Sequence, residues 1–170
     1  DNTGQATVSL TSQQKKELQT FLQRAKSEQV FVQGGTFWMG DFCSKMRKGG
    51  QYCTPDKNNK PVHEIELTSY SISKFKITHE DYSFFLASNN LPAQKFDVKN
   101  VDKMLADMVF LKNSPAIVSW TEASDYCSWL KKETGLPFSL PTEAQWEYAA
   151  RNRGLYVIVA TDDGTLRINN

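Results

Sequence analysis

The sequence predicts an α+β domain of short elements and long loops, and three observations carry that prediction. Apolar residues recur at helical spacing behind Ser or Thr caps at Thr11, Thr78, Ser119 and Thr142. Short β-type runs occupy the regions around 30–39 and 63–75. Residues 41–61 read as a long loop punctuated by Gly, Pro and Asn, and residues 89–115 are punctuated by Asn and Pro around one candidate helix.

Each element has a local reason. Thr11 caps the first helix while Gln14 reaches back, and Leu18, Phe21, Leu22 and Ala25 form its apolar stripe. Val30-Phe31-Val32 and Thr36 to Met39 flank Gly34-Gly35, which reads as a tight hairpin needing positive φ. In His63–Leu67, Ile65 and Leu67 alternate with Glu64 and Glu66; Tyr70–Phe75 reads as the next strand. Thr78 with Asp81 opens a short helix carrying Tyr82, Phe85 and Leu86, and Val101 to Phe110 is a candidate helix. Ser119 and Glu122 make a capping box for a helix with Ala123, Tyr126, Cys127 and Leu130, stopped by Gly135. Thr142 and Gln145 repeat the device for a helix ending near Gly154. Tyr156 to Ala160 reads as a strand, followed by a turn at Asp162-Asp163-Gly164. The organisation expected is a polar arm and helix over 1–28, then a domain over 29–170.

Composition narrows the function classes. A chain of 170 residues, 39% hydrophobic and 23% charged, is ordinary for a globular protein. Its net charge of +1 gives no global attraction to nucleic acid. No apolar run approaches the roughly 18 residues of a spanning helix. Lys45, Arg47 and Lys48 form a small basic cluster that reads as a solvated loop. The polar opening Asp1 to Gln5 lacks Met, as expected of a chain trimmed after a signal peptide or otherwise shortened.

The three cysteines are Cys43, Cys53 and Cys127. Cys43 and Cys53 flank a Gly- and Lys-rich segment with little apolar content to hold it. A disulfide there would contribute about 2–3 kcal/mol and would place the chain in an oxidising compartment, periplasmic or otherwise secreted. The alternative is two unrelated loop thiols. Cys127 lies on the apolar side of its helix and reads as a small hydrophobe. No second Cys or His pair has zinc-ligand spacing.

Other chemistry-bearing residues are sparse. His63 adjoins a strand and His79 opens a helix, so nothing pairs them as ligands. Glu143 and Glu147 share a helix face, where a first-turn Glu is accounted for by the helix dipole. Asp162, Asp163 and Asn169 offer oxygen ligands of the type Ca²⁺ takes, without EF-hand spacing.

Three segments, Gly34 to Gly40, Pro61-Val62-His63-Glu64 and Leu140 to Arg151, occur in the order found in the formylglycine-generating enzyme family, also called the sulfatase-modifying-factor family. The chain resembles that family from about Val30 to Arg151, with Gln145 where Glu is more usual. The resemblance implies a C-type-lectin-like variant fold, loop-rich, with helices around a small twisted sheet. Active members oxidise a sulfatase cysteine to formylglycine with O₂ and Cu(I) held by two thiolates. Their cysteine pair lies late in the chain, and this sequence is expected to stop before that region. Cys43 and Cys53 precede the Pro-Val-His strand, so the catalytic role does not transfer to them. Family members also bind Ca²⁺ shortly after the Trp-Glu-Tyr helix, which makes calcium the one candidate cofactor.

Two functions follow as expectations. One is a non-catalytic protein of a bacterial envelope that binds another protein, as a scaffold or as the immunity partner of a secreted toxin, with Phe42 and Tyr52 as candidate anchors. The other is part of a copper-dependent formylglycine-generating oxidase.

Overall fold

The computed structural model describes residues 10–46, 48–50, 52–55, 57–94, 111–157 and 160–161. The chain divides into two compact units. The first comprises residues 1–29 and 73–140, the second residues 30–72 and 141–170.

The first unit is helical. It contains α1 (Ser12–Ser27), α3 (His79–Ser88) and α4 (Trp120–Thr134), numbered in chain order with α2 in the other unit. Each begins with the expected reciprocal capping box, Thr11 with Gln14, Thr78 with Asp81 and Ser119 with Glu122. Gly135 ends α4 at φ +69°, the left-handed conformation that makes glycine a helix stop. The apolar faces meet in an aromatic core of Phe21, Tyr82, Phe85, Tyr126 and Trp129 with Leu86 and Leu130. Phe85 stands edge-on to Tyr126 at 5.5 Å and lies 5.3 Å from Trp129, within the range of favourable ring contacts. Leu18, Leu22, Ala25 and Cys127 pack against this core, as their helical spacing predicts. Buried Asp81 caps α3 and also receives the Arg24 guanidinium of α1, tying the two helices together. Val101 to Phe110 lies outside the described residues.

The second unit holds the strands. These are β1 (Gln29–Val32), β2 (Gly35–Met39), β3 (His63–Leu67) and β4 (Tyr70–Ser73), with the outer residues Gln29 and Ser73 assigned to the first unit. A single turn, α2 (Cys43–Met46), and the helix α5 (Glu143–Ala150) complete it. Among the described residues β1 pairs with β4, while β2 pairs antiparallel with β3 in the register Phe37 to Ile65 and Trp38 to Glu64. That register puts Phe37, Ile65 and Leu67 on the core side with Val32 and Tyr148, and leaves Glu64 and Glu66 outside. Tyr148 donates from its hydroxyl to the Gln33 carbonyl at 3.3 Å, and Tyr70 to that of Gln145 at 2.5 Å.

The expected hairpin at Gly34-Gly35 does not form, because β1 and β2 pair with different strands. Neither glycine has positive φ. Gly34 is glycine because a Cβ there would lie 2.2 Å from the Leu67 carbonyl oxygen, and its N–H donates to Ser69 Oγ at 3.0 Å. The strand expected at the tail is also corrected: Tyr156, Val157 and Ala160 are not in a strand, and the residues between lie outside the description. The last helix ends at Ala150 rather than near Gly154. Among the described residues, no helix is long and apolar enough to cross a membrane.

Candidate functional site: the disulfide-closed loop

Cys43 and Cys53 are joined, with their Cα atoms 5.5 Å apart. The bridge closes a loop whose conformation is set by a residue the sequence reading passed over. Asp41 is buried, 6% exposed, and its carboxylate faces backbone donors from both ends of the loop. Oδ1 accepts from the N–H of Cys43 at 3.3 Å and of Cys53 at 3.1 Å. Oδ2 accepts from the N–H groups of Cys53 and Thr54, both at 2.8 Å, and from the Thr54 hydroxyl at 3.3 Å. Burial pushes the Asp41 carboxyl up, but these donors outweigh it and hold it below the ordinary carboxylate range. The local signal was Asp-Phe-Cys, an Asp able to bond the backbone two residues on; the bonds to residues 53 and 54 have no local signature.

Asp41, Cys43 and Cys53 bring three metal-ligand atoms, one carboxylate oxygen and two sulfurs, within 4.8 Å of one another. The chemistry of the set does not fit a metal as it stands. Both sulfurs are spent in the disulfide, and both carboxylate oxygens already accept hydrogen bonds. The cluster is a structural clasp.

The root of the loop rests on Arg151, which is 6% exposed. Its guanidinium donates to the carbonyls of Trp38 at 2.8 Å, Leu155 at 2.9 Å and Gly154 at 3.2 Å. It also pairs with Glu147 at 2.5 Å, and Glu147 accepts the Gly40 N–H at 3.0 Å. Phe42 stacks on the guanidinium, 4.1 Å from ring centre to Cζ, and lies 5.4 Å from Tyr156. Glu147 thus works with Arg151 one turn on, while Glu143 stays exposed in the first turn of α5. The i,i+4 spacing of Glu147 and Arg151 was the available signal.

Tyr52, 44% exposed, stands on the outer part of the loop, with the Lys60 ammonium 4.4 Å from its ring centre. Lys60 also donates to the Thr54 carbonyl at 2.6 Å. Lys45 is exposed overall, yet its ammonium sits 3.2 Å from the centre of the Trp38 ring, so it is an ordered cation–π partner rather than a freely solvated one. Cys127 is a free thiol in the first unit, and burial pushes its pKa up. His63 is exposed on β3, and His79 is buried at the start of α3. Asp162, Asp163 and Asn169 lie outside the described residues.

An open groove of about 450 Å³ lies between α1 and α3 in the first unit, lined by Phe21, Phe84, Lys16, Glu17, Arg24 and Glu80. Its charges are of both signs, and Arg24 is committed to Asp81 and Glu28, so it selects no ligand charge.

A family model described as the sulfatase-modifying factor enzyme 1-like domain matches residues 14–165. The chain belongs to the sulfatase-modifying-factor family. The match begins inside α1, well before Val30. The formylglycine-generating enzyme of Streptomyces coelicolor is 26% identical, over 75% of this chain and 48% of its own length. That of Mus musculus is 23% identical, over 75% of this chain and 40% of its own. The serine/threonine-protein kinase pkn1 of Chlamydia caviae is 28% identical over 73% of this chain and 19% of its own length. The sulfatase-modifying-factor chain therefore spans less than half the length of these relatives. Its fold is similar to that of PvdO from Pseudomonas aeruginosa, with a TM-score of 0.56 at 20% identity, covering 73% of this chain and 47% of that one. The α+β, loop-rich arrangement is consistent with the C-type-lectin-like fold expected of the family.

Proposed function

We propose that this sulfatase-modifying-factor domain acts by binding another protein rather than by oxidising a cysteine. The observation that carries the reading is the state of its sulfur. Of three cysteines, two are joined over Asp41 and the third is packed against the helical core with a raised pKa. Cu(I) chemistry of the family type needs two neighbouring thiolates, and these residues do not supply them. Large aromatic side chains meanwhile stand in solvent, Trp120 at 75% and Trp146 at 59% exposure. Exposed Trp of this kind is the residue type most often found as an interface anchor.

The disulfide supports an oxidising setting, the periplasm or another envelope compartment of a bacterium. In that setting the role is that of a scaffold or of an immunity partner to a secreted toxin, by analogy of fold and compartment. The tail oxygens Asp162, Asp163 and Asn169 remain a proposed calcium site.

A second reading is favoured by the Streptomyces coelicolor relative, which this chain matches along 75% of its own length. There the chain is one part of a copper-dependent formylglycine-generating oxidase, and exposed Trp120 and Trp146 would be covered by its remainder. Incubation of the protein as its own cell makes it, at whatever length, with Cu(I), O₂ and a cysteine-containing sulfatase peptide separates the two. The protein-binding reading expects no formylglycine by mass spectrometry, and turnover above a protein-free control would end it.

A further inference from the structure

We infer that the disulfide-closed loop and the segment following it to Lys60 form a docking surface for an acidic polypeptide segment, a statement that rests on the protein-binding reading. Residues 43–60 hold five basic side chains, Lys45, Arg47, Lys48, Lys57 and Lys60, against one carboxylate, Asp56. This segment therefore carries a net charge of +4 within a chain of net charge +1. None of its lysines forms an ion pair among the described residues. Lys48 and Lys57 are exposed, so their charge is available to a partner.

The same segment carries two exposed apolar side chains, Met46 at 54% and Tyr52 at 44% exposure. Lys60, over the Tyr52 ring, fixes a cation beside one of them. The backbone at Cys43, Cys53 and Thr54 is held by the disulfide and by Asp41, so these points lose little entropy on binding.

The same geometry separates an acidic chain from a compact anion. The N–H groups of Cys43, Cys53 and Thr54 converge as a phosphate cradle would, but the Asp41 carboxylate already fills that cradle. What is left is dispersed positive charge with apolar points between, which matches alternating acidic and apolar side chains on an extended partner.

The test uses the intact, oxidised protein and a short fluorescein-labelled peptide in which Glu alternates with Leu. Binding by anisotropy should weaken roughly tenfold in the double variant Lys48→Glu/Lys57→Glu and about fivefold in Tyr52→Ala. It should also weaken as salt rises toward about 0.15 M, where the screening length is about 8 Å. The charge-matched control Lys16→Glu/Lys26→Glu on α1 should bind as the parent does. The Gln/Leu analogue, inorganic phosphate and phosphatidylglycerol vesicles should neither bind nor compete. Circular dichroism and a count of one free thiol establish that each variant is folded. Equal binding of the Gln/Leu peptide overturns the inference, as do unchanged affinity in the Lys48/Lys57 variant or phosphate or vesicle binding that this variant abolishes. Such failure removes the acidic-partner inference alone; the protein-binding reading falls only to turnover in the oxidase assay.

Discussion

Replacing Asp41 with Asn should open the disulfide loop locally while leaving its covalent closure intact. The substitution keeps the shape and removes one acceptor. If the new NH₂ takes the place of Oδ2, it meets the N–H groups of Cys53 and Thr54, each now 2.8 Å from that oxygen. If it takes the place of Oδ1, it meets those of Cys43 and Cys53 at 3.3 and 3.1 Å. Either way donors face donors. The Cys53 N–H reaches both oxygens and keeps one of them, so one amide loses its charged acceptor outright, at a cost of about 1.5–3 kcal/mol. That is roughly ten- to a hundredfold in the local opening equilibrium. Native-state hydrogen exchange at the Cys53 and Thr54 amides reads this directly, and both should exchange faster by about that factor. Amides of α1 and α4 should not change. Unaltered protection at residues 53 and 54 would refute the clasp.

Acid should act on the same group. Asp41 has a folded pKa below its ordinary value of about 3.9, so its contribution is complete above that value and is lost as pH falls through the lowered one. Loop stability should be flat from neutral pH down to about 5 and decline only in stronger acid, with the Asp41-linked part of that decline missing in Asp41→Asn. Arg151→Met should lower unit stability by about 3–5 kcal/mol in urea denaturation, because it strands Glu147 and leaves the carbonyls of Trp38, Gly154 and Leu155 without their donor. Gly154→Ala should cost far more than Gly49→Ala. Both sites have positive φ, yet a Cβ at 154 would lie 2.3 Å from Phe37 Cβ, whereas at 49 nothing lies within 4 Å. The open site should cost only about 1–2 kcal/mol of left-handed strain, and a thermal-shift comparison measures the difference. Phe85→Ala should destabilise the first unit by about 3–5 kcal/mol, read from its helical circular dichroism.

What the sequence made legible was local. Thr11, Thr78, Ser119 and Thr142 each cap a helix through a partner three residues on, so the helix starts could be read directly. Gln145 fills the third position of its box as a Glu would, which is why its departure from the family pattern leaves the helix intact. Gly34-Gly35 misled because a glycine pair has the same signature whether it makes a turn or admits a close backbone neighbour. Here the neighbour is the Leu67–Ser69 segment, some thirty-odd positions away. Asp41 and Arg151 were overlooked for the same reason. Arg151 reaches the Trp38 carbonyl across 113 positions, and Asp41 reaches Thr54 across 13. Of the candidate site, the Cys43–Cys53 closure followed from the apolar poverty of the segment between them, while the carboxylate that organises it could be found only in three dimensions.

Two of the three cysteine sulfurs are locked in a structural bridge. Alkylation of the protein as its own cell makes it, denatured without reduction and then mapped peptide by peptide, shows which of these cysteines are free. Of Cys43, Cys53 and Cys127, Cys127 alone should carry a label. Labels on all three cysteines would contradict it, returning Cys43 and Cys53 to the state of free thiols and removing the case for an oxidising compartment.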